Sequence, residues 1–512
     1  MDVRALMAQA VRCHRDRVAI IHGQRRLTFG EAWERGVRLA NALLGLGLEP
    51  GDRVASLEDN CIEAADLIQA CAIANLVRVP LYARNAQEAH QHMIANTGCR
   101  AVVVSSHYAH EIAAIRGSLP DVEHVIVRDD SYEGWLASHS IVEPIIDINP
   151  DDFVVIRHTG GTTGQPKAVA YSHRSWLAAC RDWFYIFPQV LAGDRCLHVG
   201  PISHGSGYQY LPIWLAGGCN VLMDHFDVAR ALDLIERERI AFCQVAATML
   251  RAILDFPGSA DRDYSSLKCV LVGTAPIHET TALAARALLG NVLYQGYGQT
   301  EVLPIAFMGP DQWFADVPGS EPLRACGTVM PFSLVDIWDE NNKPVPAGEI
   351  GEIVAKSDGQ MTAFWNNPEA TAERIVDGWI KTGDIGRIDR NGYVYLVDRA
   401  TDMIISGGYN IWPLDLERVI ASHPEIVEVA VFGVPHPKWG ETPLAVCVVR
   451  HGHRVTEAEL IRQVAGELGS YMKPSKVIFQ TEPLLRSAVG KVNRKKLRDP
   501  YWQGSDRRVA GS

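Results

Sequence analysis

The sequence has no long hydrophobic segment. Although 47% of its 512 residues are hydrophobic, no run approaches the ~20 apolar residues that a membrane-spanning helix needs. Charged side chains interrupt the first 23 residues, so no apolar core long enough for a signal peptide is present. The last residues read Val-Ala-Gly-Ser rather than the peroxisomal signal Ser-Lys-Leu. We therefore expect a cytoplasmic protein with no membrane span.

Closely spaced cysteines are also absent. The eleven cysteines are scattered, and no two are closer than ten positions. This spacing does not suggest Cys-x-x-Cys metal sites or a disulfide framework. Unpaired thiols in a reducing compartment are the simpler interpretation.

The formal net charge of −11 is distributed unevenly. From Arg450 onward, thirteen Lys and Arg stand against six Asp and Glu, so the acidic excess lies in the first 449 residues. A basic C-terminal part facing an acidic body would attract a polyanion into the gap between them, although uneven charge on a solvated surface gives the same count. The basic residues are not interleaved with aromatic ones, so we do not expect nucleic acid as a partner.

Short apolar runs alternate with longer amphipathic stretches. Residues 53–56, 101–105 and 269–273 predict buried strands, and residues 31–44 and 229–239 predict helices. This alternation predicts an α/β fold with mostly parallel sheets.

Two sequences predict helix starts. Thr28 with Glu31, and Thr456 with Glu459, have the spacing of a capping box.

The chain is too long for a single core, so at least two domains are expected. An alternating run ends near residue 398, and a new apolar unit begins at residue 403. In the second part, residues 427–433 and 444–449 predict strands separated by a Pro-rich turn at 434–438. We predict a large multi-sheet N-terminal domain (1–398), a hinge (399–402), a small mobile α+β C-terminal domain (403–502) and a disordered tail (503–512).

The most informative segment is residues 159–169, Thr-Gly-Gly-Thr-Thr-Gly-Gln-Pro-Lys-Ala-Val, which follows an apolar run at 153–156. Glycines let a backbone approach an anion closely, the threonines supply hydroxyls, and Lys167 supplies positive charge. The loop is suited to holding a polyphosphate, although a flexible linker has a similar composition. It is not a Walker A loop, because Pro166 precedes the lysine and no hydroxyl residue follows it.

Five further motifs follow this loop along the chain. They are Tyr297-Gly298-Gln299-Thr300-Glu301, Lys381-Thr382-Gly383-Asp384, Asp398-Arg399-Ala400-Thr401-Asp402, Ser406-Gly407-Gly408-Tyr409-Asn410 and Gly490-Lys491-Val492-Asn493-Arg494. In this order and with these gaps, the motifs resemble the adenylate-forming superfamily, which includes acyl-CoA synthetases, firefly luciferase and the adenylation domains of peptide synthetases. The resemblance runs from about Arg17 to Arg498.

The resemblance implies an ATP site. The phosphate loop would hold the β- and γ-phosphates, Thr300 would reach the α-phosphate, and Tyr297 would lie near adenine. Asp384 and Arg399 would bind the ribose hydroxyls, for which a carboxylate is a suitable acceptor. The implied ATP/AMP-binding residues are Thr159, Gly160, Gly161, Thr162, Thr163, Gly164, Lys167, Gly273, Ala275, Pro276, Gln295, Gly296, Tyr297, Gly298, Thr300, Asp384, Arg399 and Lys491.

The resemblance also implies the reacting groups. Lys491 would bridge the acid and the α-phosphate while the acyl-adenylate forms, because an ammonium stabilises charge that develops between two oxygens. Thr163 and Glu301 would bind Mg²⁺, a hard cation that prefers oxygen ligands. Together with His204, these are the predicted catalytic residues.

A second half-reaction with coenzyme A would require the C-terminal domain to turn. In the family the pivot lies two residues after the ribose-binding arginine, here Thr401, where Asp or Lys is usual. Ser406, Gly407 and Gly408 would bind CoA, since glycines permit close approach of its pantetheine arm.

His204 matches a histidine that lines the acyl pocket of CoA ligases, although a purely structural histidine is the alternative. The small residues after it predict free volume and hence a bulky acid (aromatic, cyclic or medium-to-long-chain). The predicted acyl pocket comprises His204, Gly205, Gly207, Gly296 and Gly298.

The leading functional prediction is an AMP-forming carboxylic acid–CoA ligase, a monomer or homodimer that takes ATP, CoA and a small carboxylic acid and belongs to fatty acid or lipid metabolism. The main alternative is a stand-alone aminoacyl- or acyl-adenylating enzyme that loads a carrier protein. An amino acid is disfavoured because residues 208–214 contain no acidic residue to pair with its ammonium. A luciferase-like oxygenase and a non-catalytic nucleotide sensor are further alternatives.

Substituting Lys491→Ala should separate the two half-reactions. We expect most adenylate formation, measured as pyrophosphate release, to be lost, because the positive charge acts only in that step. Thioester formation from supplied acyl-adenylate should be spared. Equal loss of both half-reactions would refute this role.

Overall fold

The computed structural model describes residues 1–159, 166–273, 277–399, 402–406, 409–450, 452, 454–487 and 491–502, without the side chains of Asp398, Arg399 and Asn410. Some residues predicted above lie outside this description: Gly160, Gly161, Thr162, Thr163, Gly164, Ala275, Pro276, Thr401, Gly407, Gly408 and the tail 503–512.

The α-helices are α1 (Val3–His14), α2 (Phe29–Gly45), α3 (Ile62–Ala74), α4 (Gln87–Thr97), α5 (Ala109–Ile115), α6 (Tyr132–Ala137), α7 (His173–Ile186), α8 (Gly207–Leu215), α9 (Val228–Arg237), α10 (Ala247–Asp255), α11 (Glu279–Leu289), α12 (Pro310–Trp313), α13 (Pro368–Arg374), α14 (Pro413–Ala421), α15 (Glu457–Leu468) and α16 (Arg494–Arg498).

The strands are β1 (Val18–His22), β2 (Arg25–Thr28), β3 (Arg53–Leu57), β4 (Val77–Pro80), β5 (Ala101–Ser105), β6 (His124–Arg128), β7 (Phe153–His158), β8 (Ala168–Ser172), β9 (Arg195–His198), β10 (Cys219–Leu222), β11 (Phe242–Ala246), β12 (Cys269–Gly273), β13 (Leu293–Gln299), β14 (Val302–Met308), β15 (Gly327–Val329), β16 (Ser333–Trp338), β17 (Gly351–Ser357), β18 (Ala363–Phe364), β19 (Ile375–Val376), β20 (Trp379–Ile388), β21 (Tyr393–Arg399), β22 (Ile404–Ser406), β23 (Tyr409–Ile411), β24 (Ile426–His436), β25 (Gly440–Val449) and β26 (Lys476–Gln480).

The strands form three sheets, and the predicted α/β class is confirmed. A long sheet has the order β16-β17-β20-β21-β15-β14-β13-β12-β11-β9-β10-β1-β2, with β19 beside β20. A seven-stranded sheet has the order β18-β8-β7-β4-β3-β5-β6. A C-terminal sheet has the order β23-β22-β25-β24, with β26 beside β25.

The expectation of mostly parallel sheets holds for only part of each large sheet. Parallel pairing joins β1, β10, β9, β11, β12 and β13 in the long sheet, and β7, β4, β3, β5 and β6 in the seven-stranded sheet. From β13 to β21 the long sheet is antiparallel. Short turns join many of these strands, and a short turn can join only antiparallel neighbours.

The predicted capping box at α2 is confirmed. The backbone N–H of Glu31 donates to Thr28 Oγ1 (3.2 Å), and the N–H of Thr28 donates to Glu31 Oε2 (2.8 Å). At α15, Thr456 Oγ1 accepts one bond from the N–H of Glu459 (3.3 Å). Both helices therefore begin where the sequence indicates.

The predicted Pro-rich turn between β24 and β25 is shorter than expected. Pro435 and His436 belong to β24 and pair with Glu441 and Gly440 of β25. Proline is accommodated there because β24 is at the edge of the C-terminal sheet, where a missing N–H breaks no ladder bond.

The main hydrophobic core lies where the helices pack between the sheets. It includes Phe29, Tyr171 and Trp214, all fully buried. All eleven cysteines are free thiols, nine of them buried. Within the described residues, no helix is both long and apolar enough to cross a bilayer.

Gly327 provides a test of how tightly the antiparallel part of the long sheet is packed. It has a φ of +151°, and a Cβ there would lie 2.4 Å from the backbone nitrogen of Phe307. We expect Gly327→Ala to lower the free energy of unfolding by about 3 kcal/mol or more. Gly290, with a φ of +85° and open space around it, is the matched control and should lose only about 1 kcal/mol. Urea unfolding measures both, and equal losses would contradict the packing argument.

Candidate active site

The phosphate-loop region is a hairpin whose base is closed by hydrogen bonds. The N–H of Thr159 donates to the carbonyl of Lys167 (2.9 Å), and the N–H of Lys167 lies 3.4 Å from Thr159 Oγ1. β7 and β8 pair in antiparallel register on either side of it. The predicted loop residues Thr159 and Lys167 therefore lie side by side, at the end of a buried strand as expected.

A second hairpin, β13–β14, carries the predicted motif at residues 297–301. Its strands pair up to Gln299 and Val302, so Thr300 and Glu301 form the turn. The hydroxyl of Tyr171 on β8 donates to the carbonyl of Thr300 (2.6 Å). This bond fixes the turn against the strand that follows the phosphate loop.

Glu301 is a buried carboxylate, 5% exposed. Its Oε1 accepts a hydrogen bond from Arg374 Nη2 (3.1 Å), while Arg374 Nη1 donates to the carbonyl of Lys381 (2.5 Å). Arg374 was not singled out from the sequence, because a single arginine at the end of a helix carries no local signal. It holds the carboxylate of Glu301 in place.

Asp384, on β20, contacts the residue predicted to lie near adenine and is itself one of the two predicted to bind ribose. Asp384 Oδ2 accepts hydrogen bonds from the hydroxyl of Tyr297 (2.8 Å) and from Gln299 Nε2 (2.6 Å). The backbone of Asp384 is paired with that of Arg399 on β21. Burial and the charge of Asp384 raise the pKa of Tyr297 well above its ordinary value, so this hydroxyl remains a donor. Gln299 belongs to the motif at residues 297–301, but the sequence alone assigns no role to it.

Further predicted residues surround this point. Gly273 ends β12, Gln295 and Gly296 lie on β13, and Gly298 lies at the irregular step of β13. The side chain of Gln295 is buried, and in the described part of the chain its Oε1 has no hydrogen-bond partner. A buried acceptor without a donor fits a site that is completed by a ligand.

The loop that carries His204 is held by Asn60. Asn60 Nδ2 donates to the carbonyls of Gly200 (2.9 Å) and Met223 (3.0 Å), and Asn60 Oδ1 accepts from the N–H of Ile202 (2.7 Å). Asn60 is 3% exposed and lies 144 positions before His204. Only the fold brings the two residues together, so no local pattern in the sequence marks Asn60 as part of the site.

The inference that small residues leave free volume is wrong at two positions after His204. A Cβ on Gly207 would lie 2.0 Å from the carbonyl oxygen of Ile202, so this glycine is required by close packing. Ser206 is buried, and its hydroxyl lies 2.7 Å from His198 Nδ1.

His204 itself lies between the two parts of the chain. Its burial, and then the charges of Arg157 and Lys491, lower the pKa of His204 to about 3. Lys491 thus contributes to the electrostatic environment of the imidazole. The backbone N–H of Ser487 donates to the carbonyl of Lys491 (2.7 Å), which helps to fix this segment.

The C-terminal sheet carries the predicted CoA residue Ser406, at the end of β22, opposite Gly440. A polar contact joins this part of the chain to the body: His278 Nε2 lies 3.1 Å from the carbonyl of Arg418 on α14.

Comparison with known proteins identifies the family. Residues 7–365 match the model of the AMP-binding enzymes, and residues 415–491 match the AMP-binding enzyme C-terminal domain. The chain belongs to the AMP-binding enzyme family, as its motifs indicated.

Known relatives and solved structures are similar to this chain over nearly its whole length. A feruloyl-CoA synthase from Amycolatopsis sp is 34% identical over 483 residues, covering 94% of this chain and 95% of the relative. The fatty acid–[acyl-carrier-protein] ligase ScoC from Streptomyces coeruleorubidus is 31% identical, covering 96% and 95%. The crystal structure of ATP-bound MatB from Rhodopseudomonas palustris superposes with a TM-score of 0.88 at 29% identity, covering 98% and 99%.

The low pKa of His204 has a direct consequence for titration. Because its folded pKa of about 3 lies below the ordinary value of 6.5, the ring should stay neutral from pH 8 to pH 5. Below pH 6.5 the imidazole of His204 binds a proton in the unfolded state but not in the folded state. Its titration therefore lowers the free energy of unfolding as the pH falls. Nuclear magnetic resonance of the imidazole, assigned by comparison with His204→Gln, should show no shift over this range. A midpoint above pH 5.5 would contradict the burial of the imidazole and the action of the two cations on it.

Proposed function

We propose that this protein is an AMP-forming carboxylic acid–CoA ligase acting on a bulky acid. The acid attacks the α-phosphorus of ATP, giving an acyl-adenylate and pyrophosphate. The thiol of CoA then attacks the acyl carbon, giving a thioester and AMP. The observation that carries the proposal is the Asp384 cluster, with the buried Glu301 on the same β13–β14 hairpin as Tyr297 and Gln299. The charge of Lys491 acts on His204, the other predicted catalytic residue.

We assign the nucleotide as follows. The hairpin base at Thr159 and Lys167 leads into the segment that grips the β- and γ-phosphates. Asp384 accepts the ribose hydroxyls, with Tyr297 and Gln299 fixing its orientation. Thr300 reaches the α-phosphate.

The residues also fit Mg²⁺. Glu301 offers a buried carboxylate oxygen, and Mg²⁺ is usually held by one or two carboxylates together with substrate phosphates. Thr163 would supply a second oxygen. The ion neutralises phosphate charge when bound.

Lys491 is assigned to the charge that develops between the acid and the α-phosphate. The unit formed by residues 403–502 would then turn about Thr401 and present Ser406, Gly407 and Gly408 to the pantetheine arm of CoA. The free cysteines support a cytoplasmic location.

Loading of a carrier protein is the second candidate, supported by the similarity to ScoC. An amino acid is a poor substrate for either reaction. Helix α8 offers no acidic residue, and the cation of Arg157 bonds to the carbonyls of Ser203 and His204. A substrate ammonium there would face a like charge.

Pyrophosphate release across a panel of acids, with CoA present or withheld, tests the proposal. We expect CoA-dependent turnover and a preference for acids of eight or more carbons over acetate, in line with the relatives named as feruloyl-CoA synthase and fatty acid ligase. Turnover that does not depend on CoA but increases when a carrier protein is added would favour the second candidate. Better turnover of acetate than of any larger acid would exclude the bulky-acid assignment.

A further inference from the structure

Two buried arginines lie on one face of the seven-stranded sheet. Arg78 is on β4 and Arg157 on the neighbouring parallel strand β7. Arg78 is opposite Val155, and Arg157 follows Val155 by two residues, so both side chains leave the sheet on the same face. They are 7% and 2% exposed.

Arg157 has only part of its hydrogen-bonding capacity satisfied. Its Nη2 donates to the carbonyls of Ser203 (3.4 Å) and His204. Its guanidinium carbon lies 4.1 Å from the centre of the Tyr208 ring. Its Nε and Nη1 are buried and have no partner anywhere in the described residues. Two of the nitrogen donors of this planar group thus lack an acceptor within the described residues.

Neither arginine of this pair forms an ion pair within the part of the chain that the structure describes. Burial, and then the charge of Arg157, lower the pKa of Arg78 to about 10, so Arg78 remains a cation at neutral pH. Two like charges removed from water without a counter-ion are costly, and stacking on Tyr208 offsets only part of that cost.

The pair lies on the acyl side of the proposed reaction centre. Arg157 is two residues before Thr159 at the phosphate-loop hairpin. It bonds directly to the backbone of His204, and its charge contributes to the low pKa of that histidine.

We propose that Arg157, assisted by the charge of Arg78, binds a second carboxylate of the acid substrate, so that the substrate class is dicarboxylic acids. Planar guanidinium and carboxylate groups match each other through paired N–H to oxygen bonds, which Nε and a terminal nitrogen can supply. A bound carboxylate would also provide the missing counter-charge. The inference rests on the proposed ligase function and specifies its substrate.

The test compares an eight-carbon dicarboxylic acid with the monocarboxylic acid of equal length. For the unmodified enzyme we expect kcat/KM for pyrophosphate release to favour the dicarboxylic acid on the order of a hundredfold, because unpaired buried polar groups penalise the analogue. Arg157→Met, which keeps the volume, should abolish this preference by raising KM for the dicarboxylic acid with kcat nearly unchanged. Arg157→Lys should retain part of it.

Asn60→Ala is the matched control, because it loosens the same loop without removing the charge. It should lower turnover of both acids in equal proportion and leave the preference intact. Arg157→Met lowering both acids equally would overturn the inference, since it would assign Arg157 to loop structure or to the reacting carboxylate. A monocarboxylic preference in the unmodified enzyme would overturn it even if no Arg157 variant folds. Pyrophosphate release with monocarboxylic acids only would leave the ligase function intact, whereas no release with any acid would refute that function as well.

Discussion

The rest of the candidate site depends on the hydrogen bonds that the carboxylate of Asp384 accepts. This carboxylate accepts hydrogen bonds from Tyr297 and Gln299, which lie on a different hairpin of the long sheet. These bonds lock the β13–β14 turn against β20, and Tyr171 ties the same turn to β8 of the other sheet. A carboxylate that accepts several bonds in a buried setting is held in one orientation. One end of both sheets is thereby made rigid, as a site that must align an acid with a phosphate requires.

The charged groups of the candidate site fall into two regions, one proposed to bind the nucleotide and the other the acyl group. On the nucleotide side the buried carboxylates of Asp384 and Glu301 are each hydrogen-bonded. In the other region the charges of Arg157 and Lys491 act on a buried, neutral His204, and Arg78 lies on the strand beside Arg157. Buried charges at these positions orient incoming groups, since a misplaced anion or ammonium loses solvation without gaining a partner. Burial, and then the charges of Arg157 and Lys491, lower the pKa of this imidazole and keep it unprotonated.

Much of the fold and part of the site were predictable from the sequence because the relevant signals are local. The β-branched runs of β5 and β12, the Thr28 capping box and the Gly/Thr-rich loop each depend on neighbouring residues alone. Asn60, Arg374 and the pairing of Arg78 with Arg157 depend on contacts between distant segments, so only the structure shows them. Gly207 shows a further limit: a glycine in a sequence does not indicate whether its missing side chain leaves space or is filled, here by the carbonyl of Ile202.

The placement of Lys491 also bears on how two reactions share one cleft. The charge of Lys491 contributes, after burial and Arg157, to the low pKa of His204, so the C-terminal part of the chain acts on the surroundings of this imidazole. A thiol attacking the acyl carbon needs an approach to this same region. His278 Nε2 makes a polar contact with the carbonyl of Arg418 on α14. The C-terminal sheet has its own hydrophobic core around Ile404, Leu416 and Ala445. A unit with its own core and a polar interface can move as a body, because the bonds it breaks are replaced by bonds to water. A separately packed unit of this kind is compatible with the proposed turn of residues 403–502, which would bring Lys491 to the acid and withdraw it before the thiol reacts.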